Sequence, residues 1–228
     1  MFGEVIESYY NELMSTIKLD REINNWNVKL KLILWIFASI QRTPQRRHLI
    51  RRFLDLQVRM KKEYPDFDYS KDEDCKLNQI AKEIHLQHFA NEEILDSNLE
   101  DFVYFVINRR WEVMKNPSNC YWITKDNPGF LYTYKGKSII ANASWNYSSS
   151  DCLFFPLSKD YGIHIFPYSS DDNPEMNFTN TPILRKNIPE TLNRLFNRFS
   201  FVTVHRLIIA PNKETFVDLA SEINQICT

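Results

Sequence analysis

The residue texture of this 228-residue chain changes once, at Asn116-Pro117, and no other feature limits its fold as much. Before that point apolar residues recur every three to four positions. After it, short aromatic or β-branched runs alternate with turn residues, and three of the four glycines (Gly129, Gly136, Gly162) lie there. The two patterns need different elements, because side chains repeat about every 3.6 residues on a helix and every two on a strand. The expected fold is therefore α+β. A helical N-terminal half, residues 1–117, packs against a small, mostly antiparallel sheet with two helices in residues 118–228, and the whole forms one domain. Hydrophobic residues at 43% and aromatics at 14% supply a substantial core for it.

Within the first half, Val5, Ile6, Tyr9, Tyr10, Leu13 and Ile17 mark an opening amphipathic helix. A second, from about Val28 to Gln41, is apolar nearly all round, as expected of the buried centre of a helical array. Thr43-Pro44 starts a third, running to about Tyr64. The capping boxes Ser70-Lys71-Asp72-Glu73 and Ser97-Asn98-Leu99-Glu100 start a fourth and a fifth, the latter extending through Val113. In the second half, strands are expected near 121–124, 130–134, 138–141, 153–156 and 162–166. A polar loop over 169–187, a helix from Pro189 to about Phe199, a strand over 201–209 and a helix capped at Asn212 complete the reading.

Several classes of activity are disfavoured by composition. Four unclustered glycines leave no phosphate-cradling loop and no dinucleotide fingerprint. Neither G-x-S-x-G nor H-E-x-x-H occurs. The opening residues lack a basic, then apolar, secretory pattern. The most apolar run, Leu30 to Ile40, is too short to cross a bilayer, which takes ~20 residues. Four scattered cysteines (Cys75, Cys120, Cys152, Cys227) form no metal-binding spacing and read as reduced thiols, so a cytoplasmic protein without a membrane segment is expected.

An ordered set of short motifs carries a resemblance. Gln41-Arg42-Thr43-Pro44 with Arg47 follows the apolar helix. Arg110-Trp111-Glu112-Val113 precedes Trp122-Ile123-Thr124-Lys125-Asp126-Asn127-Pro128. Phe155-Pro156-Leu157-Ser158-Lys159-Asp160 and Asn193 come later. In this order and spacing, over roughly Val28 to Ile209, the chain resembles the bacterial family catalogued as domain of unknown function 4238. The resemblance implies a shared fold and no particular activity. Family members usually begin with a segment carrying His-x-x-Pro and tend to have Ser in place of Lys125. On that comparison the usual N-terminal segment is expected to be absent here.

Four groups of residues are candidates for chemistry. Thr124-Lys125-Asp126-Asn127-Pro128-Gly129 suits a type II turn, with Pro and Gly at the central positions. The same stretch sets Lys125 and Asp126 at a strand end. With Asp160 they could hold a divalent metal ion or orient a water. Second, Arg46, Arg47, Arg51, Arg59 and Lys62 crowd the third helix, a ridge suited to nucleic-acid phosphates. An acidic block from Glu63 to Asp74 follows closely enough to neutralise it. Third, Arg42 and His48 have the R-x(4–6)-H spacing of helical ribonucleases, in which His transfers protons and Arg steadies the phosphate. His85, His88 and Glu92 share a helix face with metal-ligand spacing, beside apolar Ala81 and Ile84 that make a core-edge role equally available.

Two functional classes follow. One is a nucleic-acid-directed enzyme, an RNase-type toxin or phage-defence effector, with Arg42, His48, Lys125, Asp126 and Asp160 as its chemistry. The other is a non-catalytic binding or assembly subunit acting through its β half, as a homo-oligomer or with a protein partner. In that case Leu153-Phe154-Phe155, apolar and little protected by charge, is the expected exposed sheet edge.

Overall fold

The computed structural model describes residues 2–19, 23–41, 43, 79, 82–83, 92–107, 109–135, 138–142, 148–167, 182–204 and 207–226. Helices α1 (Phe2–Lys18), α2 (Trp26–Gln41) and α3 (Glu92–Val106) precede the sheet. The strands are β1 (Trp111–Lys115), β2 (Thr124–Lys125), β3 (Phe130–Lys135), β4 (Ser138–Asn142), β5 (Cys152–Pro156), β6 (Tyr161–Ile165) and β7 (Leu184–Asn187). Helix α4 (Glu190–Val202), strand β8 (Ile208–Ile209) and helix α5 (Lys213–Ile226) follow. The architecture is α+β, as the change of period predicts. Among the described residues, no helix is long and apolar enough to cross a membrane.

Among the described residues six strands form the main sheet in the order β4-β3-β5-β6-β1-β7, and β2 pairs with β8 in a separate two-stranded ribbon. All main-sheet pairs are antiparallel except β1 with β7. Alternation along each strand divides the core in two. Trp111, Val113, Leu131, Leu153, Phe155, Ile163 and Ile165 meet the helical layer, chiefly Ile17 of α1, Leu32, Ile36 and Phe37 of α2 and Phe102 of α3. Met114, Phe130, Tyr132, Cys152 and Phe154 face the other way, onto Phe196, Leu192, Leu195 and Phe199 of α4. Each of the larger buried side chains is worth about 1.5–3 kcal/mol relative to exposure, so both faces contribute heavily.

Helix α2 is buried over most of its length, as its all-round apolarity predicts. Arg185 of β7 donates to the carbonyls of Ile17 (2.5 Å) and Thr16 (3.0 Å) and so closes the C-terminal end of α1. Asn212 caps α5 as expected, its Oδ1 accepting from the Thr215 N–H at 2.8 Å.

Four expectations change. Helix α3 begins at Glu92, ahead of Ser97, and ends at Val106, so Val113 belongs to a strand. Trp111-Glu112-Val113-Met114 alternates between the two cores, which a strand permits and a continued helix does not. Residues 184–187, read as loop, pair with β1. The strand expected over 201–209 shrinks to Ile208–Ile209, because α4 continues to Val202. Finally, Leu153-Phe154-Phe155 is no edge: β5 lies between β3 and β6 and is buried throughout. The outer strands among the described residues are β4 and β7.

Candidate functional site

After β1 the chain runs through Asn116–Ile123 without a strand partner, so its buried backbone groups need partners from elsewhere. Two asparagines one turn apart on α4 supply them. Asn197 accepts from the Ile123 N–H at 3.1 Å and donates to the Tyr121 carbonyl at 2.8 Å. Asn193 donates to Tyr121 O at 3.2 Å and to Asn116 Oδ1 at 2.8 Å. Asn116 in turn donates to the Lys159 carbonyl at 3.0 Å, and its backbone N–H reaches Asp160 O at 3.0 Å. The Trp122 N–H also meets Lys159 O, at 2.8 Å. These bonds lock the 116–123 segment, α4 and the 158–160 turn together.

The segment then enters β2. Asp126 N–H donates to Leu207 O at 3.1 Å, and Gly129 has φ +77°. That left-handed conformation favours glycine, although residues 128–129 themselves form neither a hydrogen-bonded turn nor a bend. A Cβ at Gly129 would stand 2.6 Å from the Phe154 carbonyl oxygen, so the close approach of β5 excludes a side chain as well.

Lys125 is 3% exposed, although its side chain is long and cationic. Its Nζ donates to Thr203 O at 2.9 Å and to Thr203 Oγ1 at 2.5 Å, at the C-terminal end of α4, where the helix dipole favours a cation. Burial nevertheless pulls the amine down from the ordinary lysine range to about 7, and the neighbouring Asp126 carboxylate opposes that shift. Both carboxylate oxygens of Asp126 are buried and make no hydrogen bond among the described residues.

Beside Lys125 opens a pocket of about 590 Å³ between the helical layer and the β2–β8 ribbon. Its apolar walls include Trp35, Trp122, Phe155 and Pro128. Lys125, Thr124, Ser158 and Lys159 supply the polar groups on the sheet side, with Tyr10 and Ser39 on the helix side. Trp35 meets Phe155 edge-on with ring centroids 5.4 Å apart, and Tyr10 packs on Trp35 at 5.4 Å. The Tyr10 hydroxyl donates to Leu157 O at 3.0 Å, which ties α1 to the pocket rim. Lys159 Nζ lies 5.1 Å from the centroid of the Tyr121 ring. Such a mixture of aromatic wall and a few convergent polar groups is the usual character of a ligand site.

Of the residues singled out from sequence, Lys125 lines this pocket and half-buried Asp126 follows it in the chain. Asp160 occupies the adjoining turn, where its N–H donates to Ser158 Oγ at 3.2 Å, and is not a lining residue. Arg42, His48, Arg46, Arg47, Arg51, Arg59 and Lys62 lie outside the described residues, as do His85 and His88. Among the described residues no group of three His, Cys, Asp or Glu side chains is placed to hold a metal ion. Sequence reasoning missed Trp35, Thr203 and Asn197. A signal existed for Asn197: with Asn193 it forms an i, i+4 polar pair among the apolar positions of α4. Thr203 gave none.

Two of the motifs that carry the resemblance therefore meet at this pocket, through Trp122, Lys125, Phe155, Ser158 and Lys159, while Asn193 joins the neighbouring asparagine network through Asn116. A family model described as "Protein of unknown function (DUF4238)" matches residues 1–214, more of the chain than those motifs span. No curated protein and no solved structure matches the chain.

Proposed function

For a chain that belongs to the DUF4238 family and carries a lysine-bearing aromatic pocket, we propose an enzyme that acts on nucleic acid or its nucleotide units. The pocket itself carries this reading. Trp35, Trp122 and Phe155 offer ring surface to a base, and Lys159 offers positive charge to a phosphate. Its volume suits one nucleotide-sized group. The basic run from Arg46 to Lys62 supplies further positive charge in the same chain. RNA as the substrate would make the protein an RNase-type toxin or phage-defence effector.

Tryptophan fluorescence tests the binding. Mononucleotides and short single-stranded RNA and DNA oligomers should quench it saturably, with affinity falling as salt rises and falling further in Lys159→Ala. No saturable change at millimolar nucleotide or micromolar oligomer would overturn the proposal. Incubation with end-labelled oligomers then separates turnover from binding alone.

A second reading, a non-catalytic binding or assembly subunit, has its own support. Asn116, Asn193, Asn197 and the Lys125 amine all have internal hydrogen-bond partners, so their motifs have structural work to do. Leu207, Ile209, Phe216 and Val217 are also exposed apolar side chains on β8, the residue before it, and α5. Oligomer binding without turnover, or a stable dimer in sedimentation, favours this reading.

A further inference from the structure

We propose that Lys125 is a nucleophilic lysine that forms an imine with an aldehyde- or ketone-bearing, anionic ligand in the pocket. This rests on the pocket being a ligand site and not on the ligand being a nucleotide. Four observations converge on it. Lys125 lines a cavity of about 590 Å³ whose walls are largely aromatic and apolar. Its Nζ is fixed by two acceptors on a single residue, Thr203 O and Thr203 Oγ1. Those two bonds use two N–H groups, so in the neutral amine the remaining tetrahedral position is a lone pair held away from the helix end. Burial brings the neutral form within reach near neutral pH, as a nucleophilic amine requires. Lys159, on the same pocket, supplies a charge for the ligand's anionic group.

The chemistry balances without a redox partner. The Nζ lone pair attacks the carbonyl carbon, the C=O π pair moves to oxygen, and that oxygen takes up the proton that nitrogen releases. The resulting carbinolamine loses its hydroxyl, with a second proton from nitrogen, as water when C=N forms. One amine and one carbonyl give one imine and one water.

Pyridoxal 5′-phosphate, a planar anionic aldehyde, is a suitable probe, with borohydride delivering hydride to trap any imine as a secondary amine. Peptide mapping by mass spectrometry of the wild-type protein labelled at pH 7 should place the adduct on Lys125, in excess over exposed lysines such as Lys115 and Lys186 by about 10-fold or more. Labelling of Lys125 should rise to half its maximum near pH 7. Lys125→Met should lose this adduct alone. The map of the wild-type chain is decisive even where that variant folds poorly. Adducts spread over surface lysines, with the Lys125 peptide unmodified while nucleotides still quench fluorescence, would sink the imine and leave the pocket as a ligand site. Loss of both signals would remove both readings.

Discussion

Replacing Lys125 by Met removes a buried amine whose proton affinity folding has changed, so the effect must depend on pH. In the unfolded chain this lysine titrates at about 10.4, and in the folded protein at about 7. Between those values the unfolded state holds a proton that the folded state has released. The slope of unfolding free energy against pH is then positive, so stability rises with pH across that window and is lost toward pH 7. Integrating between pH 7 and pH 9, the wild-type protein should gain about 2 kcal/mol that Lys125→Met does not. At pH 7 itself the two should lie within about 2 kcal/mol of each other. The variant escapes the desolvation of a charge but leaves the Thr203 carbonyl without its Nζ donor. Urea unfolding followed by tryptophan fluorescence at the two pH values reads the difference directly, and other titrating groups cancel between the proteins. A constant gap at both pH values would refute the argument, because it would mean that Lys125 keeps an ordinary proton affinity when folded.

Gly129→Ala should destabilise by about 3 kcal/mol or more, from the left-handed backbone and the clash with Phe154 O and Phe155 Cδ2; a midpoint of chemical denaturation within error of wild type would contradict that close approach. Asn197→Ala strands the buried Ile123 N–H and should cost about 2–4 kcal/mol in the same assay, well above an exposed control such as Arg194→Ala. His164 is held down to about 3 by burial, with Arg110 and Lys186 adding to the effect. The unfolded chain therefore binds the extra proton first, and stability should fall as pH drops from about 6.5 toward 3, by up to about 1.4 kcal/mol per pH unit. In His164→Gln that limb of the thermal-melting profile should flatten, and an unchanged limb would remove His164 as its origin.

Local pattern alone determined much of this protein. The periodicity of residues 5–17 and 28–41 placed α1 and α2, and alternation with turn residues placed β3 to β6. Asn212 marked its own helix start, and Gly129 its own left-handed backbone. These signals are legible because each lies within a few neighbouring residues, where backbone sterics and a repeating apolar face decide the outcome. The tertiary structure decided what depends on distant partners. Residues 111–115 resemble a helix end in sequence, yet form a strand because β6 and β7 bond to both sides of it. Leu153-Phe154-Phe155 reads as an edge, yet sits between β3 and β6, because strand order is set by how the chain crosses over and not by any strand's composition. The pocket belongs to the same category. Trp35, Lys125, Phe155 and Lys159 come from separate stretches of the chain, and the proton affinity of Lys125 follows from its burial beneath Thr203. Identity and spacing are properties of sequence, whereas desolvation exists only after the segments have closed over the charge.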